Sequence, residues 1–197
     1  MDTGVCTGAV WFQIRDHDNP LLARVTVFAD YYSEGLTAEQ NARAILSITL
    51  ARCGGRIDFP TTDPAGGSRN PVGPAVLAIY AEVGLRLGEW PSYPGSVRDG
   101  LSLVESFVMN AIGKSSILIH SRCVDTNNAF TGYRRKAVRG AWTDHPEDPQ
   151  HPHEDILDSL RGGLVAAFPT GRQTTTPEYI GGGEYAPMEM GWGEMAF

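Results

Sequence analysis

Three of the five histidines fall within nine residues, at His145, His151 and His153, and they interleave with Asp144, Glu147, Asp148, Glu154 and Asp155. Imidazole nitrogens and carboxylate oxygens together suit zinc, manganese or iron. A divalent metal such as zinc, held by His145, His151, His153 and Asp155 with a nearby carboxylate as general base, is the catalytic arrangement this spacing offers. The spacer works against it. Pro146, Pro149 and Pro152 keep the segment out of a helix, so the i,i+4 pairing of a helical metal site is missing. A short His-rich tract is compositional evidence only. The expectation is therefore a solvated acidic loop over 143–152 and no cofactor, with a small metal-dependent enzyme as the alternative.

Other motif-like stretches carry less. Gly113-Lys114-Ser115 has the ending of a phosphate-binding loop, but Val108 stands where that loop needs its first glycine. The elements around it also read helix then strand, the reverse of what the loop requires. Asp2-Thr3-Gly4 matches the aspartic-protease triplet in letters, with nothing before it to hold the aspartate rigid. His120 lies in the apolar run Ile117-Leu118-Ile119 and reads as a packed residue. No nucleophile elbow, dinucleotide-binding glycine loop or H-E-x-x-H pair occurs. Cys6, Cys53 and Cys123 are odd in number and far apart, which suggests reduced thiols and no disulfide framework. The balance leans away from an enzyme.

The elements that must position these groups read as follows. Residues 9–14 and 24–32 are rich in β-branched and aromatic side chains, with a polar turn at Asp16–Pro20 between them. Thr37-Ala38-Glu39-Gln40 has the form of a capping box, and Gly54 offers a stop, giving a helix over 38–52. Ile57–Phe59 reads as a short strand, and the proline- and glycine-rich 60–74 as a loop. Residues 75–88 lean to helix, although Leu85-Arg86-Leu87 alternates like a strand. Val97, Leu101, Val104, Val108 and Ile112 step by four and three, which predicts a helix over 97–112 with that stripe buried and Ser96 as its cap. Residues 116–124 read as a central strand, and 133–142 as a strand with a basic face. A last helix spans 153–168, its middle weakened by Gly162-Gly163 and its end set by Pro169. The expected fold is α+β: a mixed, largely antiparallel sheet with about three helices packed on it, in a single domain over 1–170, plus an extended arm over 171–197.

Charge and composition set the class. The chain has 197 residues and 42% hydrophobic content, enough for one core. Its net charge of −7 argues against nucleic-acid binding, which needs a positive surface. No apolar run is long enough to span a bilayer, and the first residues lack the features of a secretory signal. The expected setting is the cytoplasm, or a particle assembled there. Charge is uneven, however. Arg134, Arg135, Lys136 and Arg139 form a basic stretch, while the segment after Arg172 holds four glutamates and no cation. That segment also carries Tyr185, Met188, Met190, Trp192, Met195 and Phe197, separated by glycine, proline and glutamate. Disordered chains seldom hold so many large apolar groups, and aromatic anchors are what interfaces use for energy. The expectation is a structural or interaction subunit whose arm docks on copies of itself or on neighbouring subunits, for instance a ring-forming component of a phage-like particle at a head–tail junction or tail end. The basic stretch would serve as a second partner contact, or as the guarded face of an edge strand.

Overall fold

The computed structural model describes residues 2–3, 6–18, 22–64, 75–110, 112–139, 141–146 and 153–168; the side chains of 2–3, 135, 137 and 141–146 are outside the description. Its centre is a hairpin of two long strands, β2 (Cys6–Arg15) and β3 (Arg24–Glu34), with the short β1 (Asp2–Thr3) on one side. The β-branched and aromatic runs seen in the sequence form this hairpin as expected. Its register shifts between Trp11 and Phe12, which pair with Ala29 and Val27, so Phe28 is the extra residue of a β-bulge. On the far side β6 (Ile117–Ile119) pairs in parallel with Val25–Val27, giving the order β1-β2-β3-β6. The sheet is mixed and largely antiparallel, and the fold is α+β. The segment expected as a central strand over 116–124 is a three-residue edge strand, because the chain turns at His120–Cys123 and enters a helix.

Five helices pack on this sheet among the described residues, where about three were expected: α1 (Ala38–Cys53), α2 (Val76–Glu82), α3 (Ser96–Val108), α4 (Val124–Gly132) and α5 (His153–Ala167). Alternation along the strands divides the core in two. Ala9, Trp11 and Ala29 pack with Ala42 and Ile45 of α1 and with Tyr80, Val83 and Leu85 of the α2 region. Val25, Val27 and Ile117 pack on the opposite face with Val104 and Phe107 of α3 and with Leu160 and Leu164 of α5. The sheet therefore lies between α1–α2 and α3–α4–α5.

The capping box of α1 forms as its sequence predicts. Thr37 Oγ1 accepts from the Gln40 N–H at 3.2 Å, and Gln40 Oε1 accepts from the Thr37 N–H at 2.9 Å. Gly54, at φ 60°, ends the helix. The other helices depart from expectation. In α3 the buried face is Ser96, Gly100, Val104 and Phe107, one position round from the apolar stripe, and Ile112 is 75% exposed beyond a helix that stops at Val108. Gly95, at φ 93°, occupies the cap position expected for Ser96. The reason lies in α5: Arg161 lays its aliphatic stem on Gly100, within 2.6 Å of where a Cβ would stand, so the glycine line of α3 faces inward. Helix α4 starts at the last residue of the strand expected over 116–124 and fills 125–132, where the sequence suggests no element. Its first turn is held from β3, where Asp30 Oδ2 accepts from the Thr126 N–H at 2.8 Å and from Thr126 Oγ1 at 3.0 Å. A cap supplied by a residue 96 positions away leaves no local signature.

Helix α5 is buried along nearly its whole length. Gly162 and Gly163, read as weak points, are its closest contacts. A Cβ at Gly162 would stand 2.2 Å from the Trp90 ring, and one at Gly163 2.8 Å from Phe12. Three smaller corrections complete the fold. Ile57–Phe59 is not a strand; the short strand is β4 (Thr61–Thr62), which pairs in parallel with β5 (Gly88–Glu89), and Leu85–Leu87 is irregular. The single strand expected over 133–142 is a separate ribbon, β7 (Arg135–Val138) with β8 (Ala141–Pro146), and Arg139 takes φ 51° at its turn. His145 thus sits in β8, not in a loop. No helix of the described residues is long and apolar enough to cross a membrane.

Candidate functional site

The two edges of the central hairpin have different neighbours. Strand β3 pairs with β6 at Val25–Val27, beside the turn end of the hairpin, whereas β1 pairs with β2 at Thr7 and Gly8, at the opposite end. Beyond Gly8, among the described residues, no strand pairs with the outer edge of β2. A cleft of about 690 Å³ runs there, lined by six consecutive residues, Ala9 to Ile14. Residues from both faces of the sheet take part, which places the cleft along the edge of the strand. Its remaining walls are the end of α1 (Ile45, Arg52, Cys53), the segment Arg56–Thr61, Leu85 and Leu87, and Ser159 and Gly163 of α5. His17 closes one end, with its ring stacked between Phe59 at 5.7 Å and Phe168 at 5.1 Å. Its Nε2 donates to the carbonyl of Ala167 at 2.7 Å, which ties the hairpin turn to the end of α5.

The cleft is apolar over much of its lining. Phe12, Ile14, Phe28, Ile57, Phe59 and Leu87 line it and are each only half-buried. The polar residues of the lining are Gln13, His17, Arg52, Cys53, Arg56, Asp58, Thr61 and Ser159. Burial pushes the Cys53 thiol up, which keeps it protonated and unreactive at neutral pH. Ser159 Oγ donates within the protein, toward the carbonyls of Gly8 and Asp155 at 2.8 and 2.7 Å. A concave, largely apolar lining with a few polar groups, in a volume of this size, is what small-molecule and peptide pockets generally share.

Polar groups elsewhere are committed to the fold. Asn41 of α1 accepts from Tyr31 Oη at 2.7 Å and from Ser33 Oγ at 2.5 Å, and donates to Thr7 Oγ1 at 3.0 Å. Trp11 Nε1 donates to Thr49 Oγ1 at 3.0 Å. The Tyr80 hydroxyl is buried beside Thr7 without meeting hydrogen-bond geometry. Burial, with Asp30 adding to it, raises Cys123 to about 11. Burial raises Asp125 as well; Asp30 adds to this and His153 opposes it.

Of the residues singled out from the sequence, His153 and Asp155 are placed in the first turn of α5. Asp155 is buried, and His153 packs on Gly132 with its Nδ1 buried and lacking a hydrogen-bond partner. The side chain of His145 and all of His151 lie outside the described residues. Among those described, no group of three or more His, Cys, Asp or Glu is placed to hold a metal ion. Arg134, Lys136 and Arg139 are exposed on the β7–β8 ribbon, far in sequence from the cleft, and the Arg135 side chain is outside the description. Tyr185, Met188, Met190, Trp192, Met195 and Phe197 likewise lie outside it, as does the boundary at 171. Sequence reasoning missed the cleft. It found β2 and the end of α1, but a bare strand edge is a property of topology that no local spacing reports. Comparison with protein-family models, with curated proteins and with solved structures finds no match.

Proposed function

We propose that the protein is a structural or interaction subunit of a homo- or hetero-oligomeric assembly, in which the C-terminal arm of one copy docks in the cleft of the next. The observation that supports this is the row of half-buried apolar side chains beside the bare edge of β2, with Arg52 and Arg56 at its rim. The arm has the complementary composition: Tyr185, Met188, Met190, Trp192, Met195 and Phe197 for the apolar row, and four glutamates with no cation for the arginines. The areas agree. Three aromatic rings at about 150–250 Å² each, with three methionines, approach the roughly 800 Å² per partner that a stable interface buries. The exposed basic groups Arg134, Lys136 and Arg139, with Arg135 beside them, offer a second contact for an acidic neighbour.

An arm in a neighbour's cleft is a head-to-tail contact, and such contacts close into rings when the rotation between copies closes. A ring-forming component of a phage-like particle, at a head–tail junction or tail end, is the setting we put forward. The test is the native mass by light scattering of the full chain and of a chain lacking 173–197. The expected result is an oligomer for the first and a monomer for the second. The same oligomer for both overturns the proposal.

A further inference from the structure

The cleft follows a strand edge, and that fixes how a peptide is held there. We propose that residues 174–180 of a neighbouring copy bind as an added strand on the outer edge of β2, with their backbone bonded to that of Ala9–Ile14. This rests on the assembly reading above and specifies its first contact: 174–180 take the strand edge, and the anchors from Tyr185 to Phe197 follow along the apolar row. An exposed strand edge presents a row of N–H and C=O groups that pair readily with another extended chain. The lengths match: six residues of β2 span about 20 Å and seven residues of the arm about 23 Å.

The segment has the residues the position asks for. Thr174-Thr175-Thr176 is β-branched, and Tyr179-Ile180 is aromatic and β-branched. Pro177 interrupts it, and a proline is accepted in an edge strand only where its nitrogen faces away from the ladder. Pro177 therefore sets the parity: 175, 177 and 179 turn their backbone groups outward, while 174, 176 and 178 bond to β2. The same parity puts Glu178 and Tyr179 on opposite faces of the sheet. Charge decides which face each takes: we place Glu178 toward Arg52 and Arg56 on the α1 side, which leaves Tyr179 over Gly163 on the α5 side. Asp58 also lines the cleft, so the local balance is two cations to one anion.

Helix α5 brings the chain to one end of the cleft. Ser159 meets Gly8, Gly163 meets Phe12 and Ala167 meets His17, so α5 runs alongside β2 in the same sense. Phe168, the last described residue, lies beside the His17 end of the cleft. A neighbour's arm is the occupant this proposal commits to, and the chain's own arm is the outcome that dilution detects.

The experiment is amide hydrogen exchange of the 9–14 segment together with native mass, on the full chain and on two variants, Thr174→Pro and Thr175→Pro. In the assembled parent the edge amides should be protected, and dilution to monomer should speed their exchange at least about tenfold. Thr174→Pro should give the same acceleration and a lower native mass, because it removes an inward N–H. Thr175→Pro should behave as the parent. Both prolines leaving mass and exchange unchanged overturn the added strand while the assembly stands. Edge amides equally protected in the diluted monomer place the strand in its own cleft and overturn exchange between copies. A parent that is monomeric at every concentration removes the assembly reading itself.

Discussion

Where β2 meets α5, the chain gives up side chains to gain contact; along its outer edge, it keeps large side chains and leaves them half covered. Gly8 lies against the backbone of Asp155, and Gly162 and Gly163 admit Trp90 and Phe12 to distances that no Cβ would allow. A few ångströms away, Phe12, Ile14, Phe28, Ile57, Phe59 and Leu87 line a cleft of about 690 Å³. Protein interiors are close-packed, and unfilled apolar space forfeits dispersion contacts. A sequence that packs one flank of a strand to backbone contact has the means to close the other. The open flank is consistent with a surface kept for an occupant.

The sharpest way to break this comparison is to add one methyl group on each side. In Gly162→Ala the new Cβ meets the Trp90 ring at 2.2 Å with the core behind it, and a loss of about 3 kcal/mol is expected in urea unfolding. In Gly163→Ala the new Cβ meets the tip of the Phe12 ring at 2.8 Å, and that ring has the cleft to move into, so about 1 kcal/mol is expected. Equal losses would mean that the cleft gives Phe12 no room. Between these lies Asp30→Ala, which strips the cap from α4 at both Thr126 contacts and should cost about 1–2 kcal/mol by the same measurement.

The smallest effect is electrostatic. Asp125 is held above its ordinary value of 3.8, first by burial and then by Asp30. A carboxyl raised in the folded state binds its proton more tightly there, so its contribution is present at low pH and is lost as pH rises through the folded value. Asp125→Asn should therefore match the parent in stability below pH 3.8 and exceed it increasingly toward pH 7. Urea unfolding at a series of pH values reads this directly, and a parent that gains on the variant as pH rises would refute the sign.

Much of the scaffold was legible in the sequence because its signals are local. The capping box at Thr37–Gln40, the hairpin runs and the apolar positions Ile156, Leu160 and Leu164 of α5, with Phe168 just after it, all act within a few residues. What escaped depends on partners distant in the chain. Helix α4 takes its cap from Asp30; α3 turns Gly100 inward because Arg161 covers it; Gly162 and Gly163 read as breakers until Trp90 and Phe12 are seen against them. The cleft escaped for the same reason, since its walls come from β2, α1, the Arg56–Thr61 segment and α5, and only topology leaves the edge of β2 bare. The histidine cluster was conspicuous in sequence, yet only His153 and Asp155 of its four candidate ligands have described side chains.

The measurement that bears most directly on the docking site is the native mass of a full-length Arg52→Glu/Arg56→Glu variant beside that of the parent. Reversing both charges leaves the arm and the apolar row intact and turns the rim of the cleft against the glutamates of the arm. The account predicts an oligomeric parent and a variant that falls to monomer at low salt, with assembly partly recovered as salt screens the repulsion. A variant that keeps the parent's mass at every salt concentration would show that the cleft is not where the copies meet.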